Sequence, residues 1–402
     1  MQDGTSALMD RNVDVRITCV HQGYELYGSD RAFAESVKTI RNAYPDAVIE
    51  VVLPRAGGIV DLLRDAASHI VFEPIWVLRR RDLWRLATVG MLRLPAALAR
   101  AVRRYRDSDL VYINTSVITD YTLAARFFPG KTVLHIHEIP EGATLRVLRG
   151  LALWSGAEVI FNSKATREAF ALPAATRSHV IYNGLAGPAV PEPVSYDGRR
   201  PLRVLMLGRI SRMKGQEVLV EALRLMAESL ERLEVRIVGS AFEDEAKEHA
   251  LRDLVREAGL DGTIAMMPFT AKPEVELRWA DVVVVPSRRP EPLGRVAIEA
   301  MAFGRPPIVS AIGGLREIVE HGRSGWLVPP NQPEALAETL RGIIAAPEAL
   351  HRMAAPARAR YEALFGEKAA EEAITAVLAG LLGPLPRTGN PPHPGATLRG
   401  FA

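Results

Sequence analysis

Short runs of apolar, β-branched residues alternate along the chain with longer stretches in which apolar residues recur every three or four positions. The first pattern predicts buried strands and the second predicts amphipathic helices. Strands that alternate with helices are typical of βαβ units, whose strands form parallel sheets. The predicted strands are Val13–Val20, Val48–Leu53, Asp109–Ile113, Thr132–Ile136, Glu158–Phe161 and His179–Tyr182 in the first half, and Leu202–Leu207, Glu234–Val238, Thr263–Met267, Asp281–Val285, Pro307–Ser310 and Gly325–Val328 in the second.

The segment 188–201 divides the two sets of predicted strands. It is rich in proline and glycine and shows neither the apolar run of a strand nor the repeat of an amphipathic helix. This composition predicts an interdomain linker. We therefore expect two doubly wound, Rossmann-like domains, over residues 1–187 and 202–366. Open parallel sheets bind ligands beyond the carboxyl ends of their strands, so two facing domains place their loops around one central cleft. After the second domain, the pattern predicts an amphipathic helix over 367–382 and a disordered, proline-rich tail over 383–402.

Composition and charge change this picture little. The net charge of +3 implies no acidic partner by itself, and 402 residues suit two domains, because a single core rarely exceeds about 250–300 residues. The only cysteine, Cys19, cannot form an internal disulfide, which fits a reducing compartment. The N-terminus lacks the apolar core of a signal peptide, and no stretch approaches the ~20 apolar residues of a membrane span. We expect a cytoplasmic protein, either free or peripheral on the inner face of the membrane.

A carboxylate motif follows the predicted strand Asp281–Val285. Gly294 stands where the next helix should begin, and unpartnered N–H groups at a helix N-terminus favour an anion. Glu291 lies in the loop just before it and can accept hydrogen bonds from sugar hydroxyls. Glu299 falls in the second turn, where a carboxylate suits the two hydroxyls of a ribose. Taken singly, a glutamate at either position is more typical of a solvated helix residue or a loop charge.

A basic motif follows the predicted strand Leu202–Leu207. Gly208 and Arg209 begin a loop that ends with Lys214 and Gly215, before a predicted helix. Cleavage of a sugar–diphosphate bond leaves extra negative charge on the leaving group, and basic residues beside a helix N-terminus stabilise that charge. A basic surface loop explains the arginine equally well. Lysine is rarer in this chain, at seven positions, so the position of Lys214 carries more weight.

The N-terminal half carries weaker signals. Gly23 and Tyr24 lie in a loop after the first predicted strand, where either a bare turn or an approach to phosphate explains the glycine. His135 and His137 share one face at the end of the predicted strand Thr132–Ile136. A metal site needs a third ligand that the sequence does not supply, so we expect no metal, and we expect His135 to be a core residue.

The two motifs together, Gly-Arg-x4-Lys-Gly from Gly208 and Glu-Pro-x-Gly-x4-Glu from Glu291, resemble the retaining glycosyltransferases of family 4, which have the GT-B fold. The resemblance implies that a sugar moves from a nucleoside-diphosphate sugar to an acceptor with retention of configuration, with no cofactor and no metal in the chemistry. It also implies that the helix over 367–382 returns to the N-terminal domain. The catalytic residues it implies are Glu291, His137, Arg209 and Lys214, and the donor-binding residues are Gly23, Gly208, Arg209, Lys214, Pro292, Leu293, Gly294 and Glu299.

Arginines crowd the stretch from Ile75 to Arg106, which contains two tryptophans and a single acid, Asp82. A basic amphipathic helix with tryptophans is typical of a membrane-surface element, although arginine stems that cover a core also explain the pattern. We expect this region to dock on an anionic membrane that carries a lipid-linked or cell-envelope glycan acceptor, and we find no nucleic-acid motif. The residues assigned to acceptor or membrane are Tyr24, Arg79, Arg80, Arg81, Trp84 and Arg85.

Three alternatives compete with this function. A two-domain dehydrogenase would need Gly-x-Gly-x-x-Gly after a strand, which the sequence lacks. A non-catalytic scaffold should have lost Glu291, Arg209 or Lys214, and all three are present. A transferase that makes a soluble glycoside differs only in its acceptor, and the arginine-rich stretch favours a membrane. The sequence indicates neither the sugar, nor the nucleotide base, nor the linkage.

Overall fold

Parallel strands form two separate sheets in the part of the chain that the computed structural model describes, residues 15–24, 26, 28–78, 91–241, 244–383 and 397–400. Apolar clusters cover both faces of each sheet, so interior strands are buried on both sides and their sequences are apolar without alternation. The strand Leu110–Asn114 is an example, because all of its residues are buried. The predicted α/β class with two doubly wound domains is confirmed.

Strands and helices alternate along most of the chain. The strands are β1 Arg16–Val20, β2 Val48–Leu53, β3 His69–Phe72, β4 Leu110–Asn114, β5 Thr132–Ile136, β6 Glu158–Phe161, β7 Ser178–Val180, β8 Leu202–Leu207, β9 Leu233–Val238, β10 Ile264–Met267, β11 Val282–Val285, β12 Pro307–Ser310, β13 Trp326–Val328 and β14 Thr397–Gly400. The helices are α1 Gly28–Ala43, α2 Ile59–Leu63, α3 Met91–Asp107, α4 Thr119–Ala125, α5 Gly142–Ser155, α6 Lys164–Phe170, α7 Gln216–Arg224, α8 Glu245–Glu257, α9 Glu274–Trp279, α10 Arg295–Ala302, α11 Leu315–Ile318, α12 Pro333–Ala345, α13 Glu348–Leu364 and α14 Glu367–Leu382, with a 3₁₀ helix at Ala227–Arg232.

The strand order places a crevice in each sheet. The N-terminal sheet has the order β14-β3-β2-β1-β4-β5-β6-β7, and the C-terminal sheet has the order β10-β9-β8-β11-β12-β13. The direction of winding changes between β1 and β4 in the first sheet and between β8 and β11 in the second. Ligands of open α/β sheets bind at such switch points, beyond the carboxyl ends of the strands. The loops after β8 and β11 carry the two motifs predicted from the sequence.

The chain crosses between the domains at two adjacent places. Residues 187–201 contain no helix or strand, and Tyr196 in this segment is buried in the core of the C-terminal domain. Helix α14 then runs back and buries Ile374 and Leu378 in the core of the N-terminal domain. At the crossing, the Leu185 amide donates to the Phe365 carbonyl oxygen at 2.9 Å. The two connections therefore lie side by side.

Two strands of the N-terminal sheet differ from the prediction. Strand β3 was not predicted, because it has only four residues and begins with a histidine. The prediction of a disordered tail over 383–402 is wrong for Thr397–Gly400, which form β14 in register with His69–Phe72. An edge strand presents unpaired N–H and C=O groups that another segment can pair with, and β3 would otherwise present such an edge.

Candidate active site

A cleft of about 450 Å³ lies between the two domains, at the carboxyl ends of their strands. Small-molecule sites in proteins typically measure about 300–1,000 Å³. The loops after β5, β8 and β11 all contribute to its walls, so both domains contact whatever binds there. The predicted catalytic and donor-binding residues that line the cleft are His137, Gly208, Arg209, Lys214, Glu291, Pro292, Leu293, Gly294 and Glu299.

An ion pair between Lys214 and Glu291 occupies the C-terminal wall of the cleft. The Lys214 Nζ atom lies 2.9 Å from Oε1 and 2.8 Å from Oε2 of Glu291, and the Ser287 hydroxyl also donates to Oε1. Only 21% of the Lys214 side chain and 5% of the Glu291 side chain are exposed, which strengthens their attraction. A ligand with a phosphate for the ammonium and a hydroxyl for the carboxylate can separate this pair and leave neither charge unpartnered.

Backbone contact between two loops holds that ion pair in place. Gly215 has a φ of 78°, and a Cβ atom there would lie 2.1 Å from the Pro286 carbonyl oxygen. Only glycine tolerates this approach. The Arg288 amide also donates to the Met213 carbonyl oxygen at 2.8 Å. The loop of Lys214 is thereby fixed against the loop of Glu291, although the two are far apart in sequence.

The start of helix α10 borders the same wall. Gly294 is its N-cap residue, and no side chain caps the helix, so N–H groups of the first turn lack helical acceptors. Gly294 itself lines the cleft. Backbone donors and the helix dipole therefore add to the positive potential of Lys214 and Arg209. Arg209 is exposed at the edge of the cleft, and its carbonyl oxygen accepts from Gln216 Nε2 at 3.1 Å.

Arg295 joins the two walls of the cleft. Its Nη1 and Nη2 atoms donate to the two carboxylate oxygens of Glu35, on α1, at 3.0 and 2.8 Å. Its Nε atom donates to Glu299 Oε1 at 2.8 Å. Burial lowers the pKa of Arg295, but the two carboxylates outweigh burial and raise the pKa above its usual value, so the guanidinium stays charged. The sequence analysis missed both Arg295 and Glu35; the only available signal was that Arg295 follows Gly294 directly in the motif.

A hydrogen-bonded chain lies behind His137, at the end of β5. His137 Nε2 lies 2.8 Å from Asn114 Oδ1, and the Asn114 amide nitrogen lies 3.1 Å from His21 Nδ1. His21 Nε2 contacts Asp30 Oδ1 at 2.9 Å. Burial lowers the pKa of His137 well below its usual value, and the neighbouring His135 and His21 lower it further, so its imidazole is neutral. The sequence analysis missed Asn114, His21 and Asp30 because three different elements supply them.

His135 is a core residue beside that chain. It is 1% exposed, its Nδ1 atom contacts the Tyr112 hydroxyl, and burial lowers its pKa to about 3. Among the described residues, no group of three His, Cys, Asp or Glu side chains is placed to hold a metal ion.

The remaining predicted residues lie away from the cleft lining or outside the described residues. A Cβ atom on Gly23 would lie 1.8 Å from Asp30 Oδ1, so this glycine makes room for the chain behind His137. The Tyr24 ring lies 3.8 Å below the Arg55 guanidinium. Neither Gly23 nor Tyr24 is among the residues that line the cleft. Arg79, Arg80, Arg81, Trp84 and Arg85 lie outside the described residues.

We expect Lys214→Met to lower the thermal midpoint, because it leaves the carboxylate of Glu291 shielded from water without its cation. Removal of one partner of a buried ion pair costs about 3–5 kcal/mol. Calorimetry should show that Lys214→Met combined with Glu291→Gln recovers part of the loss, because no charge is then unpaired. The control is Lys247→Met, which removes an exposed pair with Asp244 at 2.7 Å worth about 0–1 kcal/mol. Equal losses from the two lysine variants would contradict the prediction.

Comparisons with known proteins show what this chain is similar to. Residues 198–360 match the family described as glycosyl transferases group 1. The chain is 39% identical over 127 residues to the D-inositol 3-phosphate glycosyltransferase of Pseudarthrobacter chlorophenolicus. The aligned segment covers 31% of this chain and 30% of the relative. The chain is 34% identical over 170 residues to the protein of the same name from Thermobispora bispora, which covers 40% and 39%. This chain therefore spans 30% and 39% of the length of these two curated relatives.

Solved structures extend the similarity to both domains. HepE of Anabaena, in complex with UDP and glucose, is 25% identical with a TM-score of 0.75, and the match covers 91% of this chain and 100% of that one. Sucrose-phosphate synthase of Thermosynechococcus elongatus, at 21% identity, has a TM-score of 0.71 with 91% and 99% covered. The predicted GT-B fold is confirmed. The family match covers residues 198–360 of the C-terminal domain, and the similarity of fold covers both domains.

Proposed function

We propose that this protein transfers a sugar from a nucleoside-diphosphate sugar to the hydroxyl of an acceptor. The observation that carries the proposal is the cleft wall formed by Lys214, Glu291 and the uncapped start of α10. It offers cations and backbone donors to a diphosphate beside a carboxylate for a sugar hydroxyl, and Glu299 lies one helical turn further on for a ribose. The complex of HepE with UDP and glucose supports the same class of donor.

The residues of the cleft can support each part of the transfer. The bond between the anomeric carbon and the phosphate oxygen breaks, and the leaving diphosphate gains negative charge that Lys214, Arg209 and the start of α10 stabilise. Glu291 holds the sugar, while neutral His137 faces the cleft from the other domain. The acceptor oxygen bonds to the anomeric carbon and its proton passes to the leaving phosphate. Retention of configuration and chemistry without a metal are parts of this proposal.

We expect one of UDP, GDP and ADP to raise the thermal midpoint without magnesium, because a ligand of the folded state stabilises it by mass action. The gain is about 2.7 kcal/mol at a ligand concentration of 100 Kd. Lys214→Ala and Glu299→Ala should abolish the shift. Lys368→Ala and Glu372→Ala, which remove an exposed pair at 3.9 Å on α14, should leave it unchanged.

Two results of that thermal measurement would contradict the proposal. A shift with NAD but with no nucleoside diphosphate would indicate a dehydrogenase. No shift with any nucleotide at millimolar concentration would indicate a scaffold protein that lacks a donor site.

For the acceptor, we propose a lipid-linked or cell-envelope glycan at an anionic membrane surface. None of the described helices has the length and apolar character to cross a bilayer. Helix α5 instead presents exposed apolar side chains, with Val147 and Trp154 each 50% and Leu153 41% exposed, and Arg146 on the same exposed side. Apolar and basic residues on one helix surface are typical of contact with anionic lipid. Helix α4 packs between α5 and the arginine-rich α3.

We expect the protein to float with vesicles that contain anionic lipid and not with neutral vesicles. The triple change Val147→Ser, Leu153→Ser and Trp154→Ser should abolish flotation, because it removes the apolar contact. The control is Val190→Ser with Val275→Ser, which changes side chains that are 81% and 61% exposed elsewhere. Equal binding to both vesicle types, or none, would contradict the membrane proposal. Product that stays in the aqueous phase would then favour a soluble acceptor, as the name of the D-inositol 3-phosphate relatives suggests.

A further inference from the structure

One guanidinium connects the N-terminal domain to the carboxylate proposed for ribose. Three nitrogen atoms of Arg295 are engaged, two with Glu35 of α1 and one with Glu299 of its own helix. The exposed fractions are 21% for Arg295, 25% for Glu35 and 14% for Glu299. The three side chains are therefore partly shielded, and their contacts are stronger than those of ion pairs fully exposed to solvent.

The geometry of these contacts makes the position of Glu299 depend on Glu35. A guanidinium is planar, and two parallel hydrogen bonds to one carboxylate fix both its position and its orientation. Because Glu35 holds the Nη atoms of Arg295, it also sets the direction in which Nε points. Nε in turn holds Oε1 of Glu299. Movement of α1 away from the cleft would break the two hydrogen bonds between Arg295 and Glu35. The Nε atom of Arg295 would then no longer hold Glu299 in one position.

The charge of Arg295 at the start of α10 explains why it has Glu35 as a partner in addition to Glu299. Arg295 is the first residue of α10, where a positive side chain is unfavourable because it lies at the positive end of the helix dipole. The backbone N–H groups of the same turn are the donors of the proposed anion site. Glu35 offsets that charge from across the cleft. Burial raises the pKa of Glu35 above its usual value even though Arg295 acts in the opposite direction, so burial of this carboxylate has a desolvation cost that its contact with Arg295 offsets only in part.

We propose that Glu35 is a positioning residue that acts through Arg295 on Glu299, so that nucleoside recognition depends on closure of the two domains. This inference rests on the proposed donor site. It assigns Glu35, which contacts no part of the donor in this scheme, a share in the affinity for the nucleoside.

A double-mutant cycle tests the proposal. The dissociation constants of UDP, GDP and ADP are measured by calorimetry for the wild type, Glu35→Gln, Glu299→Gln and the double variant. For the nucleotide that binds, Glu35→Gln should raise Kd about tenfold in the wild type and less than about twofold in the Glu299→Gln background, because the two residues act as one unit. Arg295→Lys should raise Kd by the same factor as Glu35→Gln, since lysine keeps the charge but cannot form two parallel hydrogen bonds to one carboxylate.

A matched control separates positioning from the general effect of removing an ion pair on α1. Lys38 lies on the same helix as Glu35 and pairs with Glu367 of α14 at 3.2 Å, with side chains 61% and 47% exposed. Lys38→Met should leave Kd within about twofold of the wild type, because exposed pairs contribute little. Equal losses in Lys38→Met and Glu35→Gln, or additive effects of Glu35→Gln and Glu299→Gln, would overturn the proposal.

A measurement on the nucleotide-free protein keeps this proposal separate from the proposed function. Spin labels at Asp61→Cys and Arg323→Cys, whose native side chains are 78% and 75% exposed, report the distance between the domains, and Cys19 is too buried to react. Glu35→Gln should lengthen and broaden the distance distribution, and Lys38→Met should not. An unchanged distribution in Glu35→Gln would overturn the link to closure. Failure of the wild type to bind any nucleotide would instead refute the donor site, and the distances alone would then decide the role of Glu35.

Discussion

Two parallel sheets can bind one ligand only if the carboxyl ends of their strands face each other across a narrow gap. In this protein, one of the contacts that span the gap beside the cleft is the ion pair between Arg295 and Glu35, whose nitrogen and oxygen atoms lie 2.8 and 3.0 Å apart. The Lys214–Glu291 pair and the start of α10 lie on one side of it, and His137 lies on the other. Both domains are therefore needed to form the cleft.

Several charges in the cleft are arranged as pairs within the protein itself. Lys214 holds Glu291, and Arg295 holds both Glu35 and Glu299. An unpaired charge in a partly dry cleft would be costly, so the site is stable because its own groups satisfy each other. A donor with phosphate and hydroxyl groups complements both members of a pair. A ligand with only one of these groups would leave the other member without a partner.

The sequence predicted what lies within contiguous motifs. Gly294 and Glu299 were placed correctly at the cleft because spacing along one loop and one helix determines where they lie. Glu35 could not be predicted, since its partner Arg295 is 260 positions away and nothing in α1 distinguishes this glutamate from a solvated one. Strand β14 was missed for a similar reason, because its pairing depends on the open edge of β3 and not on an apolar pattern of its own.

The two crossings between the domains lie against each other, with Leu185 hydrogen-bonded to Phe365 at 2.9 Å. Because the two connections are held together at one place, they favour rotation of one domain relative to the other about a single axis through that place. They resist sliding or twisting of one domain against the other. At this place a Cβ atom on Gly184 would lie 2.7 Å from the Ala370 Cβ. A larger side chain there would push the two connections apart and tilt that axis, and it would thereby misalign the two walls of the cleft without touching either of them.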